Sequence, residues 1–137
     1  MTRYRELVER YFQACTHEPA EQIAAFFCAQ ASVYDNNHKP VQGAQAIGTF
    51  YVKMRERWQG ASWHIDTFIE GDDGAASEWT MRAYQHGEIQ LARGSEHYEF
   101  EEGLIRQIRQ YWRFDRQALA TGLVDYPYTE DPRFTPC

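Results

Sequence analysis

Apolar side chains recur three and four positions apart through the first sixty residues, and at every second position through the next fifty. That change of period is a change from helix to strand. Residues 2–16 place Tyr4, Leu7, Val8, Tyr11, Phe12 and Cys15 on one helical face. The His17-Glu18-Pro19 break follows, and Pro19 suits the first turn of a second helix over about residues 19–28, carrying Ile23, Ala24, Phe26 and Phe27. Residues 31–35 read as a short extended piece. The polar loop Asn36-Asn37-His38-Lys39-Pro40 then leads to Gly43 and a third helix over residues 44–58, striped by Ile47, Phe50, Tyr51 and Met54.

After Gly60 alternation sets in. Strands are predicted over residues 62–70, 75–84, 88–100 and 104–114, separated by turns at Gly71-Asp72-Asp73-Gly74, Gln85-His86-Gly87 and Glu101-Glu102-Gly103. Turns this short imply consecutive antiparallel pairing. Residues 117–137 hold three prolines and little period, so they read as an irregular tail packed on the body. The chain is therefore expected to form one α+β domain over residues 1–137, with a core of about 2–115 and a tail of 116–137.

Alternation also sorts the faces. Ser77, Trp79 and Met81 share one side of their strand; Gly94, Glu96, Tyr98 and Phe100 share one side of the next; Ile108, Gln110, Trp112 and Phe114 follow on the last. These more apolar sets are placed inward. The opposite side carries Arg82, His97, Arg109, Tyr111 and Arg113. Glu96 is then an acid on an apolar face, where burial disfavours its charged form and raises its pKa. Such groups serve as acids, bases or hydrogen-bond donors.

Composition narrows the field. In 137 residues, 43% are hydrophobic and 15% aromatic, enough for a core and an aromatic-lined cavity. Fourteen Lys and Arg against twenty Asp and Glu give a net charge of −6, with no basic run, which argues against nucleic acid. No stretch has the length and apolarity of a membrane span or signal peptide. Cys15 and Cys28 sit among apolar neighbours, Cys137 is expected as a free exposed thiol, and no CxxC occurs, so a reduced, cytoplasmic setting is expected. The five histidines form no ligand pair at helical or hairpin spacing, and neither a G-x-S-x-G elbow nor a glycine-rich phosphate loop is present. No metal or cofactor is implied.

Three stretches carry a resemblance. They are Glu9-Arg10-Tyr11-Phe12 through Phe26-Phe27 to Ala31-Ser32-Val33-Tyr34-Asp35, then Gly43-Ala44-Gln45-Ala46-Ile47, then Glu102-Gly103-Leu104-Ile105. In this order and spacing the chain resembles the nuclear transport factor 2-like superfamily, and within it the SnoaL-like and ketosteroid-isomerase-like members. The resemblance implies a cone: three N-terminal helices packed on a strongly curved antiparallel sheet. Laid against the isomerases, Tyr11 falls on the oxyanion-hole tyrosine, Asp35 on the aspartate base and Glu96 on a second, protonated acid. The Asp-Arg-Asp set of limonene epoxide hydrolases falls on Trp79, Met81 and Gln110, so that water-activating triad is absent.

The resemblance thus implies a cofactor-free isomerase, cyclase or dehydratase acting on a small apolar organic molecule. Asp35 is the expected base, Tyr11 and Glu96 its polar partners, and Trp79, Met81, Tyr98, Gln110 and Trp112 the lining. A homodimer through the outer sheet face is implied too, with the tail covering the mouth of the cone or reaching the partner. The alternative is a non-catalytic binding or assembly module of the same fold.

Overall fold

The computed structural model describes residues 3–115, 117 and 121–134; Cys137 lies outside them. The elements run α1 (Arg3–His17), α2 (Ala20–Ala24), β1 (Phe27–Asp35), β2 (Val41–Gln42), α3 (Ala44–Arg57), β3 (Ala61–Glu70), β4 (Gly74–Gln85), β5 (Glu88–Glu101) and β6 (Leu104–Trp112). The α+β class and the three helices are as expected, but β1 and β2 intervene before α3.

Helix α1 buries the predicted stripe, including Tyr4, Val8, Tyr11, Phe12 and Cys15. One of its orphan N-terminal N–H groups, that of Tyr4, donates to Glu70 Oε2 at 3.0 Å, so a β3 carboxylate caps the helix. Helix α2 is shorter than predicted. Its last turn tightens as Phe26 N–H reaches Ile23 O at 3.1 Å, and Phe26 O then accepts from Ile105 N–H at 2.9 Å. Sheet pairing has claimed Phe27 and Cys28, which helical spacing alone assigns to the helix.

The strands form one six-stranded sheet in the order β2-β1-β6-β5-β4-β3. Strands β3 to β6 are an antiparallel meander. His86 and Gly87, like Glu102 and Gly103, both hold positive φ, the two-residue hairpin turn whose twist suits the flanking strands. The sheet is not antiparallel throughout, however: β1 runs parallel to β6. A parallel neighbour needs a long crossover, here α3 plus the meander, and no local sequence signal announces it. Register shifts between Phe27 and Ser32, Ile65 and Thr67, and Glu99 and Phe100 mark bulges, which bend the sheet around the helices.

The concave face and the three helices enclose the core. Residues 121–134 of the tail lie on the other side of the sheet. Phe134 is buried there, and the Arg93 guanidinium stands 4.0 Å from the centre of the Tyr128 ring. Beneath them Thr80 donates to Asp66 Oδ2 at 2.6 Å, while Arg93 Nη1 donates to Thr80 Oγ1 at 2.9 Å. This buried polar cluster occupies the face that alternation places outward. Among the described residues no helix is long and apolar enough to cross a membrane.

Candidate functional site

Strand register brings the acids together. Asp35 pairs with Gln110, Gln110 with Glu96, Glu96 with Ser77 and Ser77 with Phe68, so one row crosses β1, β6, β5, β4 and β3. All five side chains belong to the concave face by alternation. Tyr11 from α1 and Tyr51 from α3 come down on the row, their rings 5.9 Å apart and nearly perpendicular. The predicted trio of Tyr11, Asp35 and Glu96 therefore does meet in one interior.

The Asp35 carboxylate is wholly enclosed. Its Oδ1 accepts from Asn37 N at 2.7 Å and Asn37 Nδ2 at 2.9 Å. Its Oδ2 accepts from Trp112 Nε1 at 2.8 Å and from Gln110 Nε2 at 2.5 Å. Four donors fill the four lone-pair positions of a carboxylate. His38, placed by the sequence in a polar loop, packs on Phe50 with its Nε2 3.5 Å from Asp35 Oδ2. Its Nδ1 lies 2.8 Å from Lys39 O, a contact that places an N–H on that nitrogen.

Glu96 is the opposite case. It is 3% exposed, and its Oε2 is buried with no hydrogen-bond partner. Burial pushes its pKa up to about 8; a hydrogen bond from Tyr98 opposes the rise and the negative charge of Asp35 adds to it. At neutral pH the raised pKa favours the protonated carboxyl, and its Oε2 stands without a hydrogen-bond partner. Tyr98 also shares a 2.8 Å hydrogen bond with Ser77 Oγ.

A phenol relay joins the two halves. The Tyr11 hydroxyl donates to Tyr51, and Tyr51 donates to Gln110 Oε1 at 3.4 Å, the same amide that binds Asp35. Burial raises the pKa of Tyr11, Tyr51 and Tyr98 well above the usual phenol value, so all three stay protonated. Trp79 and Met81 are buried on the same face as predicted. The Trp79 indole N–H is another enclosed donor with no partner. Tyr51 and His38 are the members that sequence reasoning missed. Tyr51 sits on the apolar stripe of α3 and reads as core; the one hint for His38 is its place three residues after Asp35.

Several hollows mark the surface. One with an aromatic wall, about 350 Å³, is lined by Trp79, Gly94, Trp112 and Tyr111 of the sheet and Leu123, Tyr128 and Phe134 of the tail. Two of the predicted lining residues, Trp79 and Trp112, border this hollow, but their indoles pack against each other on the concave face, where Trp112 binds Asp35. Met81 and Tyr98 pack in the core instead, while Gln110 is spent on Asp35 and Tyr51. A groove of about 540 Å³ runs between α1 and α2, past Arg10, His17 and Phe26. Neither contains Tyr11, Asp35 or Glu96. Among the described residues no group of three or more His, Cys, Asp or Glu is arranged to hold a metal ion.

Residues 8–108 match the family model of the SnoaL-like domain. The chain belongs to that family. This SnoaL-like domain is accordingly a member of the nuclear transport factor 2-like superfamily. No curated protein matches it. Among solved structures it is similar to a protein of unknown function with a cystatin-like fold from Methylobium petroleophilum PM1, at 22% identity and a TM-score of 0.72 over 99% of this chain and 93% of that one. A candidate SnoaL-like polyketide cyclase from Jannaschia sp. CCS1 gives 11% identity and a TM-score of 0.72, covering 89% and 94%. A candidate ketosteroid isomerase from Kribbella flavida DSM 17836 gives 15% and 0.66, covering 82% and 79%. At such identities the likeness is one of fold.

Proposed function

We propose that this SnoaL-like domain is a cofactor-free general acid/base enzyme, of isomerase, cyclase or dehydratase type, acting on a small apolar organic molecule. The observation that carries the proposal is Glu96, a buried carboxyl with a pKa of about 8 and one oxygen left without a partner. A group that titrates near neutrality can both give and take a proton, which one-residue isomerisation or cyclisation requires. Glu96 hands its proton to a ligand oxygen or carbon and recovers one from a neighbouring carbon. Tyr98 holds the carboxyl in place. The names of the Jannaschia and Kribbella structures support the reaction class.

Asp35 takes a different part from the base expected of it. Every lone pair of its carboxylate is engaged, so accepting a proton means expelling a donor. It acts as a negative charge that adds to the burial holding the Glu96 pKa up, with Tyr11 and Tyr51 bracing Gln110 against it. The domain works as a homodimer through the outer sheet face. A second reading, a binding module without chemistry, is favoured by one observation: the aromatic cavity under the tail does not include Glu96.

The test is a pH–rate profile against apolar ketones and polyketide-like fragments. With Glu96 as the proton donor, kcat/KM is flat at neutral pH and falls tenfold per unit above about 8. Glu96→Gln keeps the shape but cannot titrate; it loses about 10²–10⁴ in rate while binding persists. Turnover that survives Glu96→Gln with an unchanged profile excludes this assignment.

A further inference from the structure

Two polar atoms of the concave face lack partners, and strand register makes them neighbours. Trp79 is 2% exposed, and its Nε1 is enclosed with no hydrogen-bond partner among the described residues; the same holds for Glu96 Oε2. Trp79 of β4 pairs with Gly94, two residues before Glu96 on the same inner side of β5. Gly94 leaves the space above it free: a Cβ there would lie 2.5 Å from Trp79 Cζ2 and 2.6 Å from Cη2. The indole therefore leans across β5 over position 94. The Glu96 carboxyl rises from the next inner position, a step of about 7 Å along a strand.

An indole nitrogen is a donor only, so Trp79 calls for an acceptor. The interior already holds the enclosed Asp35 carboxylate. A ligand carboxylate would meet that charge, which disfavours a second one nearby. A neutral acceptor such as a carbonyl oxygen meets no such penalty. From Trp79 a run of rings leads away from Glu96. Trp112 lies 6.0 Å off, Phe114 5.6 Å from Trp112, and Trp58 5.6 Å from Phe114. Phe114, just past the end of β6, is half-buried, so the run reaches from the acid row toward the surface. Walls of this kind suit a flat ring system.

We infer that Trp79 is a specificity-determining residue of the concave site: its indole N–H binds the carbonyl oxygen of an uncharged ring ketone whose neighbouring carbon faces Glu96. The placing of that carbon rests on the acid/base reading of Glu96, whereas the contact at Trp79 does not. A carbonyl oxygen and the carbon beside the carbonyl, each about 3 Å from its protein partner, bridge the gap between the two side chains. The remaining rings lie against Trp112 and Phe114.

The probes are 1-tetralone and tetralin, alike in shape, of which only the first carries a carbonyl. Affinities are measured by calorimetry. The indole N–H signals are followed by ¹⁵N-edited NMR, with Trp79 assigned by its loss in Trp79→Phe. The ketone is expected to bind about tenfold tighter than the hydrocarbon, to move the Trp79 signal downfield and to give it cross-peaks with the bound ring protons. In Trp79→Phe the two probes bind equally, and retained tetralin binding shows that the site is still formed. Glu96→Gln keeps the preference for the ketone. Equal affinities in the wild type, a preference that survives Trp79→Phe, an unmoved Trp79 signal, or binding of neither probe overturns the inference. The pH–rate profile of Glu96 is a separate readout. Its failure with the ketone preference intact removes the acid/base reading and leaves Trp79 as the donor of a binding site; a lost preference with the profile intact removes only the role of Trp79.

Discussion

Two carboxyls sit next but one to each other in a strand row and are treated in opposite ways. Asp35 receives four donors, and Glu96 has an oxygen with none. That asymmetry has a thermodynamic signature. The folded-state pKa of Glu96 is raised from 4.5 to about 8, so between those values the unfolded chain has released a proton that the folded chain still holds. The contribution of Glu96 to stability then falls as pH rises through this window and levels off above it. The opposing shifts, those of Glu99 and Asp131, lower carboxyl pKa values and act below the window. Chemical denaturation from pH 5 to 9 is expected to show a decline of a few kcal/mol, absent in Glu96→Gln. Asp35→Asn supplies the paired arm. It removes a charge that raises the Glu96 pKa, so the Glu96 midpoint measured by ¹³C carboxyl NMR moves down. It also sets an amide N–H₂ against the donors of Gln110 or Trp112, at a cost of about 2–3 kcal/mol. An unmoved midpoint would mean that the two acids do not sense one another.

At the scale of elements, the site is held by close approaches that leave little tolerance. Gly48 lies inside α3, where alanine ordinarily stabilises a helix by about 1 kcal/mol. Here its Cβ would stand 2.2 Å from the backbone oxygen of Ala20 in α2. The neighbour is main chain and cannot rotate away. Gly48→Ala is therefore expected to destabilise by about 3 kcal/mol, with a lower midpoint in urea and an unchanged slope. A stabilised variant would show that α2 slides freely. The same elements show what the sequence could and could not convey. Periodicity located α1, α3 and the meander because each is set by neighbours a few residues away. It overran α2, since Phe26-Phe27 fits a helical stripe until Ile105 offers a sheet partner. It missed β2, two residues long, and the parallel union of β1 with β6, for which the partners lie more than seventy residues apart. Alternation put Glu96, Trp79 and Gln110 on the right face. It could not show that Asn37 and His38, read as loop, fold back on Asp35, or that Tyr51 in an apolar stripe carries a hydrogen-bonded hydroxyl.

For the molecule as a whole, the tail divides the outer sheet face. It covers the Asp66–Thr80–Arg93 cluster, and the remainder stays open. One uncovered row runs Tyr34, Arg109, His97, Ala76, Ile69 by strand register, with Tyr111 beside it, its ring edge-on to His97 at 5.9 Å. Tyr111 is 55% exposed and Ile69 75% exposed. Apolar side chains grouped on an open sheet face mark an association surface, and a two-fold axis through it would set this patch against its own copy. Sedimentation at tens of micromolar protein is then expected to give twice the 16.1 kDa chain mass. Tyr111→Asp places a carboxylate opposite its symmetry mate's patch without touching the concave face. It should shift the species to monomer while the Glu96 midpoint and the folded-state spectrum stay as they were. A wild-type chain that remains monomeric at that concentration would mean that the tail leaves too little surface for a partner, and that the row from Tyr34 to Ile69 simply faces water.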